Sequence, residues 1–168
     1  LVAVGGDGIV HMAAHAAAGS STIVGIVAAG TGNDAAEALG LTGDPADGDL
    51  DAQVDRALAD PTPIDLLACR SGEADGDADP LHAVTSCVAG FPALVNAQAE
   101  AMRFPRGPSR YTLATLGAIP RMRPGRFRLT LSGGPNDGVV VNQPMAVVVV
   151  ANTGLFGGGM RICPDARP

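Results

Sequence analysis

The chain has 168 residues, of which 46% are apolar and 17% are charged. This length suits one ordinary domain or two small ones, and the composition is too apolar for a disordered chain. No apolar run reaches the length of a membrane-spanning helix. The three cysteines lack the spacing of a zinc site or of a disulfide scaffold, so we expect a cytosolic protein.

The charges are distributed unevenly along the chain. Residues 1–100 contain 15 of the 17 acidic residues and only two arginines, whereas residues 101–168 contain nine arginines and two acidic residues. This asymmetry predicts two surfaces with different partners. Because the chain opens inside an apolar run at Leu1, we also expect it to be a piece of a longer protein.

The first 60 residues alternate between short apolar runs and alanine-rich stretches. The predicted elements in chain order are a buried strand (Val2–Val4), a helix (Ile9–Ala18), a buried strand (Ile23–Ala28), a helix that ends at Leu39 and a surface helix (Leu50–Ala59). Strands that alternate with helices are typical of an α/β domain with a parallel sheet. We therefore predict a first, α/β domain over residues 1–60.

The segment Pro61-Thr62-Pro63 is the predicted domain boundary. Residues 61–168 form the second predicted domain, which is β-rich. Its predicted strands are Ile64–Cys69, His82–Ala89, Arg126–Leu131 and the buried run Met145–Ala151, and its predicted helices are Leu94–Met102 and Tyr111–Ile119. Residues Arg126–Leu131 alternate polar and apolar side chains, which predicts a half-exposed antiparallel strand.

Two glycine-rich turns follow the first two predicted strands, at Gly5–Gly8 and at Gly30–Asp34. In a parallel sheet, ligands bind where strands end and helices begin, and helix N-termini attract phosphate. Glycines let the backbone approach the phosphates closely, and Asp7 offers an oxygen ligand for a phosphate-bound Mg²⁺. Ordinary tight turns without a ligand would explain the same residues, so the pattern leaves both readings open.

Common catalytic and nucleotide-binding motifs do not fit. His11 stands where the dinucleotide fingerprint needs its last glycine, and the chain has no lysine for a P-loop. His11 and His15 have the spacing of a zinc-protease helix, but Met12 occupies the position of the catalytic glutamate. We therefore predict that any phosphate binding uses another motif.

The two turns together resemble a known family. The segment Val4–Gly8 reads Val-Gly-Gly-Asp-Gly, and Ala29–Asp34 reads Ala-Gly-Thr-Gly-Asn-Asp. This pair is similar to the diacylglycerol kinase catalytic domain family of bacterial lipid kinases, which is related to sphingosine kinases. The resemblance continues at Val88–Phe91 and at the glycine-rich segment Ala151–Ala166, so it covers essentially the whole chain.

The resemblance implies an ATP-dependent lipid kinase that transfers the γ-phosphoryl group to a lipid hydroxyl, with diacylglycerol giving phosphatidic acid as the first choice. It implies ATP and Mg²⁺ as cofactors. The implied ATP-binding residues are Gly5, Gly6, Asp7, Gly8, Ile9, Gly30, Thr31 and Asn33. It implies a catalytic role for Asp7, metal binding by Asp7 and, through water, by Asp34, and a substrate cleft at Gly90 and Phe91. The resemblance also implies that residues 1–60 are an ATP-binding α/β domain that lacks its first βα unit, and that residues 61–168 are a β-rich, sandwich-like lipid-substrate domain truncated at its C-terminus. The general base is expected beyond Pro168, so the chain alone is expected to be inactive.

Several positions depart from the family pattern, and three of them leave alternatives open. Ile9 stands where a threonine is usual, Met12 where a carboxylate is usual, and Pro92 where bacterial members usually have aspartate. The alternatives are a sphingosine-type kinase, an NAD kinase and a catalytically silent nucleotide- or lipid-binding protein.

An arginine-rich stretch with interleaved aromatic residues spans residues 103–128. Its arginines are Arg103, Arg106, Arg110, Arg121, Arg123, Arg126 and Arg128. A solvated surface would explain them, and the acidic net charge disfavours nucleic acid as a partner. Beside the lipid-kinase resemblance, we predict that the stretch docks on anionic lipid headgroups. The expected location is the cytoplasm, peripheral to the inner face of the plasma membrane, and a homodimer is a further possibility.

Overall fold

The computed structural model describes residues 1–42, 50–70, 79–104 and 108–168. The chain forms two compact units, one of Leu1–Cys87 with Val150–Pro168 and one of Val88–Val149. The division into domains at residue 60 stays a prediction. Arg106 lies outside the described residues.

The described chain contains ten strands and five α-helices. The strands are β1 (Val2–Gly5), β2 (Gly25–Ala28), β3 (Leu67–Cys69), β4 (Leu81–Ala83), β5 (Ser86–Gly90), β6 (Gly125–Thr130), β7 (Val140–Met145), β8 (Val147–Ala151), β9 (Leu155–Phe156) and β10 (Met160–Arg161). The helices are α1 (Asp7–Ala17), α2 (Asp34–Ala38), α3 (Leu50–Ala57), α4 (Phe91–Ala101) and α5 (Pro108–Ala118). Among the described residues, the strands form five two-stranded sheets.

The first unit is built on the parallel pair β1 and β2, which α1 connects. Val2 pairs with Gly25 and Gly5 with Ala28, so the parallel arrangement predicted from the alternation is confirmed. α3 passes so close to the start of β2 that a Cβ on Gly25 would overlap the Ala57 carbonyl oxygen. Only glycine allows this approach.

A small core holds the first unit together. It consists of buried residues from α1, β2, α2 and the segment between β4 and β5: Val10, Ile26, Ala35, Ala36 and Val84. β2 is buried over three of its four residues, but Ile23, the predicted start of this buried strand, precedes it and is exposed. In β1, however, Ala3 is buried while Val2 and Val4 are exposed, because alternate side chains of a strand point to opposite faces.

The second unit combines a helix pair with a hairpin. α4 and α5 pack through small side chains, and Ala99, Ala114 and Ala118 are fully buried there beside Val95. β6 pairs antiparallel with β7, with Gly125 opposite Met145, as expected for a strand predicted to be antiparallel. Phe127 and Leu129 are half-buried while Arg126 and Arg128 are exposed, which confirms the predicted alternation.

Two predictions about the later strands are wrong in detail. The strand predicted at His82–Ala89 is divided into β4 and β5, because the intervening backbone has other partners: the Val84 carbonyl accepts from Asn152 Nδ2, and the Thr85 carbonyl from the Asn152 and Thr153 amides. The run Met145–Ala151 is not buried throughout, since Val147 and Val150 are exposed.

None of the helices in the described part of the chain has the length and apolar character that a membrane crossing needs.

Candidate functional site

Both glycine turns lie at the same edge of the β1–β2 sheet. The two strands are parallel and end opposite each other, at Gly5 and Ala28. The Ala29 amide then donates a hydrogen bond of 3.0 Å to the Gly5 carbonyl, so the pairing continues into the second turn. α1 begins at Asp7 and α2 at Asp34. The sheet therefore brings both turns and both helix starts together.

The two turns touch through their backbones. A Cβ on Gly6 would lie 3.0 Å from Gly30 Cα, and a Cβ on Gly30 would overlap Gly6 Cα. A Cβ at Gly30 would therefore force the two backbones apart, and a Cβ at Gly6 would make an unusually tight contact. These glycines let the turns form one continuous backbone surface.

Asn33 fixes the shape of the second turn. Its Oδ1 accepts from the Gly30 amide and its Nδ2 donates to the Gly30 carbonyl, both at 2.9 Å. Its backbone has φ 56°, the left-handed conformation that asparagine tolerates better than most residues. Thr31 and Gly32 are thereby exposed at the tip of the turn.

Asp7 joins the first turn to the second helix. Its Oδ1 accepts a hydrogen bond of 2.9 Å from the Ala35 amide, in the first turn of α2. A carboxylate at this place also favours both helix starts electrostatically. Asp7 Oδ2 has no hydrogen-bond donor among the described residues, so it faces the turns as an available acceptor.

Asp34 is buried and reaches a distant segment. Only 5% of its surface is exposed. Its Oδ2 accepts from the Gly158 amide at 2.8 Å, and its Oδ1 accepts from the Gly159 amide at 2.7 Å. These short bonds satisfy the charge that burial would otherwise penalise. Both carboxylate oxygens therefore have protein partners, and the predicted water-mediated metal contact of Asp34 stays a prediction.

The histidines of α1 contact the segment around β4. His11 Nε2 accepts from the Thr85 amide at 3.3 Å, and His15 Nδ1 lies 3.3 Å from His82 Nδ1. Burial lowers the pKa of His11, although the negative charge of Asp7 acts in the opposite direction. The described residues contain no group of three or more histidine, cysteine, aspartate or glutamate side chains arranged to hold a metal ion.

Residues 150–168 belong to the first unit and bind to its earlier segments. Asn152 is buried, and its Nδ2 donates to the carbonyls of Asp65 at 2.8 Å and Val84 at 3.0 Å. Together with the Asp34 contacts, these bonds attach residues 150–168 to the second glycine turn and to the backbone just before β3 and just after β4. The sequence showed a glycine-rich run at residues 157–159, but it gave no sign of which carboxylate would contact it.

The predicted residues fall into two groups. Those predicted to bind ATP lie together at the glycine turns, where the side chain of Ile9 packs against Gly5 and is 46% exposed. Gly90 and Phe91 belong to the second unit. Gly90 has φ 85° and precedes α4, while Phe91 packs against the helix-pair core. The predicted site roles of both groups stay predictions.

A cavity of about 770 Å³ lies away from the turns, at the other end of β2. Ile23, Gly25 and Ile64 are among the described residues that line it, and no residue of the glycine turns is. The chemistry suggested by the turns is therefore not associated with this cavity.

Comparisons with known proteins agree with the resemblance. A profile for the diacylglycerol kinase catalytic domain matches residues 1–69, and one described as the YegS C-terminal NAD kinase beta sandwich-like domain matches residues 85–168. The chain is 37% identical over 162 residues to proteins named diacylglycerol kinase from two strains of Mycobacterium tuberculosis. The aligned part covers 96% of this chain and 49% of each relative, so the chain spans about half the length of these curated relatives.

Substitution of Gly30 tests the contact between the turns. We expect Gly30→Ala to lower the free energy of unfolding by about 1–3 kcal/mol, because the new Cβ overlaps Gly6 Cα and the backbones must separate. Gly8→Ala is the matched control, since a Cβ there meets nothing within 4 Å and alanine favours a helix. Denaturant unfolding measures both, and equal midpoints for the Gly30 variant and the unsubstituted chain would contradict the contact.

The lowered pKa of His11 predicts a pH-dependent stability. Folding favours the neutral imidazole, which accepts the Thr85 amide, so the unfolded chain takes up a proton first as the pH falls below the ordinary pKa of 6.5. The stabilisation is complete above that pH and is lost as the pH falls from there towards the lowered pKa. His11→Gln keeps an acceptor without titrating, so its thermal midpoint should fall less between pH 7.5 and pH 5.5, both values being about one unit from 6.5. An unchanged pH dependence would contradict this role of His11.

Proposed function

This chain belongs to the diacylglycerol kinase catalytic domain family, and we propose that its protein is an ATP-dependent lipid kinase. In the proposed reaction, a lipid hydroxyl oxygen bonds to the γ-phosphorus of ATP, the bond to the bridging oxygen breaks, ADP leaves and the hydroxyl proton passes to a base. The first-choice acceptor is diacylglycerol, which becomes phosphatidic acid. The relatives' name supports that choice.

The backbone contact of Gly6 and Gly30 is the observation that carries the proposal. It makes a surface without side chains at the carboxyl ends of two parallel strands, beside the start of the eleven-residue helix α1. Unpaired amides and the helix dipole at such an edge attract phosphate. We assign the ATP phosphates to the backbone from Gly5 to Ile9, where the first amides of α1 have no acceptor within the helix, and to the surface at Gly30, whose own amide is bound to Asn33 Oδ1. The exposed Thr31 hydroxyl is assigned as a hydrogen-bonding partner of the nucleotide.

Asn33 acts on the nucleotide indirectly in this proposal. Both polar atoms of its side chain bind the Gly30 backbone, so it holds the turn in the shape that the phosphates require. We therefore count Asn33 among the ATP-binding residues because it shapes the turn, not because it contacts ATP. Such preformed geometry favours phosphoryl transfer, which depends on positioning and on charge neutralisation.

The residues at the turns fit Mg²⁺ bound mainly by ATP. Magnesium usually takes one or two carboxylates together with substrate phosphates and waters. Asp7 supplies one such oxygen, Oδ2, because its Oδ1 is occupied by the Ala35 amide. Bound there, the ion would neutralise developing charge on the phosphates. Asp7 would hold and orient it, directly or through water, which is the catalytic role that we assign to this residue.

The acceptor could belong to a related class. A sphingosine-type lipid would use the same transfer, and so would NAD, which the description of the second matching profile mentions. A catalytically silent protein is the second candidate. It is favoured by Ile9, whose apolar side chain is packed on Gly5 where a hydroxyl is usual in the family, and by the exposed Met12.

We also propose that the protein works at the cytoplasmic membrane surface, as a peripheral protein. Arg121 and Arg123 are exposed and flank Met122. Met122 is 47% exposed and the neighbouring Ile119 is 51% exposed. Arginines attract anionic headgroups, and apolar side chains beside them can enter the interface. Neither a nucleic-acid partner nor a homodimer is part of this proposal; the homodimer stays a prediction.

Phosphate transfer by the full-length protein tests the kinase. We expect Mg-ATP and mixed micelles of diacylglycerol to give phosphorylated lipid, and Asp7→Asn to lower the rate by at least about 100-fold, the scale for losing a group that stabilises transition-state charge. Asp60→Asn is the control, because it makes the same chemical change at an exposed position. Radiolabelled γ-phosphate followed into the lipid measures the reaction.

Parallel acceptors separate the alternatives. If sphingosine or NAD is phosphorylated and diacylglycerol is not, the protein is a sphingosine-type kinase or an NAD kinase. ATP binding without transfer to any acceptor would favour the silent protein, and Ile9→Thr with Met12→Glu would then be the variant to restore transfer. If the full-length protein neither binds ATP nor transfers phosphate to any acceptor, the proposed function is contradicted.

Vesicle binding tests the membrane surface. Because each arginine near an anionic surface contributes about 1 kcal/mol, Arg121→Glu with Arg123→Glu should weaken binding to phosphatidylserine-containing vesicles by at least about tenfold. Arg70→Glu with Arg167→Glu changes the charge equally at exposed positions of the first unit and should have a much smaller effect. Sedimentation with vesicles measures binding, and equal losses for both pairs would contradict a specific docking surface.

A further inference from the structure

The tip of the β9–β10 hairpin is held by one carboxylate. β9 and β10 are antiparallel, with Phe156 opposite Met160, and the three residues between them form the turn. Those residues, Gly157, Gly158 and Gly159, have φ values of 65°, 89° and 89°, which side-chain-bearing residues rarely adopt. Successive amides in such a turn can converge on an anion. Here the anion is the Asp34 carboxylate, which accepts from two of them.

This contact joins residues that lie 124 and 125 positions apart in the chain. Asp34 is also the first residue of α2, directly after the turn that Asn33 closes. The next amide of the helix, that of Ala35, donates to Asp7. Adjacent residues of α2 therefore tie together the first glycine turn, the second glycine turn and the hairpin tip.

We propose that Asp34 is a positioning residue: it holds the hairpin tip at residues 157–159 against the glycine turns, and the hairpin held in this way supports the binding of the ATP phosphates. The inference rests on the proposed function. Asp34 acts through the hairpin and the start of α2, and it needs no contact with ATP. The role follows from its burial and from the engagement of both its oxygens by backbone amides.

Asp34→Asn is the direct test, because it keeps the shape of the side chain but replaces one acceptor oxygen with an amino group that faces a glycine amide. In the full-length protein we expect faster hydrogen exchange in peptides covering residues 155–161. We also expect the KM for ATP to rise about tenfold or more, the scale for losing a charge-assisted hydrogen bond, with a smaller change in kcat. Glu37→Gln is the control, because it removes the same charge from an exposed position of the same helix.

A second variant tests the same contact by a change in the hairpin turn. Gly158→Ala leaves Asp34 intact and strains the turn, because φ is 89° there while a Cβ meets nothing within 4 Å. Gly133→Ala is its matched control, with φ 81° and equally open space in the second unit. Both should lower the thermal midpoint by similar amounts, but only Gly158→Ala should raise the KM for ATP. This pair keeps the proposal testable if Asp34→Asn does not fold.

The outcomes separate the two proposals. Unchanged exchange at residues 155–161 in Asp34→Asn would overturn the positioning role, and so would faster exchange with an unchanged KM for ATP. Equal KM values for Gly158→Ala and Gly133→Ala would overturn it independently. Failure of the unsubstituted full-length protein to bind ATP would instead count against the proposed function, since no variant is involved in that result.

Discussion

The close approach of Gly6 and Gly30 is the constraint on which the rest of the first unit depends. It fixes how near the first turn lies to the second, and thereby where α1 and α2 begin relative to each other. The parallel pairing of β1 with β2 brings the turns to one edge, but pairing alone leaves room for side chains between them. With glycine at both positions no side chain separates the turns, and they form one continuous backbone surface.

Two carboxylates then stabilise this arrangement in different ways. Asp7 spans a short distance, from the start of α1 to the Ala35 amide in α2, and keeps one oxygen available. Asp34 is buried and uses both oxygens on the hairpin tip. Although the two residues appear alike in the sequence motif, their surroundings assign them different tasks. Asp7 keeps the oxygen that the proposed function gives to a metal ion, whereas both oxygens of Asp34 are bound to backbone amides of the hairpin tip.

The sequence predicted the features that depend on residues close together in the chain and missed the contacts between residues far apart in it. The parallel strands, the helices after them and the alternation of Arg126 to Leu129 all follow from periodicity and turn residues that lie within a few positions of each other. The contacts of Asp34 and Asn152 join residues roughly 70 to 125 positions apart, and no local pattern specifies such partners. The division between β4 and β5 has the same origin, because Asn152 and Thr153 take the carbonyls that a longer strand would have used.

The three departures from the family pattern do not carry equal weight once their surroundings are known. Pro92 lies in the first turn of α4, where a backbone amide has no helical acceptor, so proline fits there without loss of a hydrogen bond. Met12 is 70% exposed, and its side chain is not part of the core. Only Ile9 lies directly at the glycine turns, where its side chain packs on Gly5. The question of an active or silent protein therefore depends chiefly on whether the backbone amides around Ile9 suffice without a hydroxyl beside them.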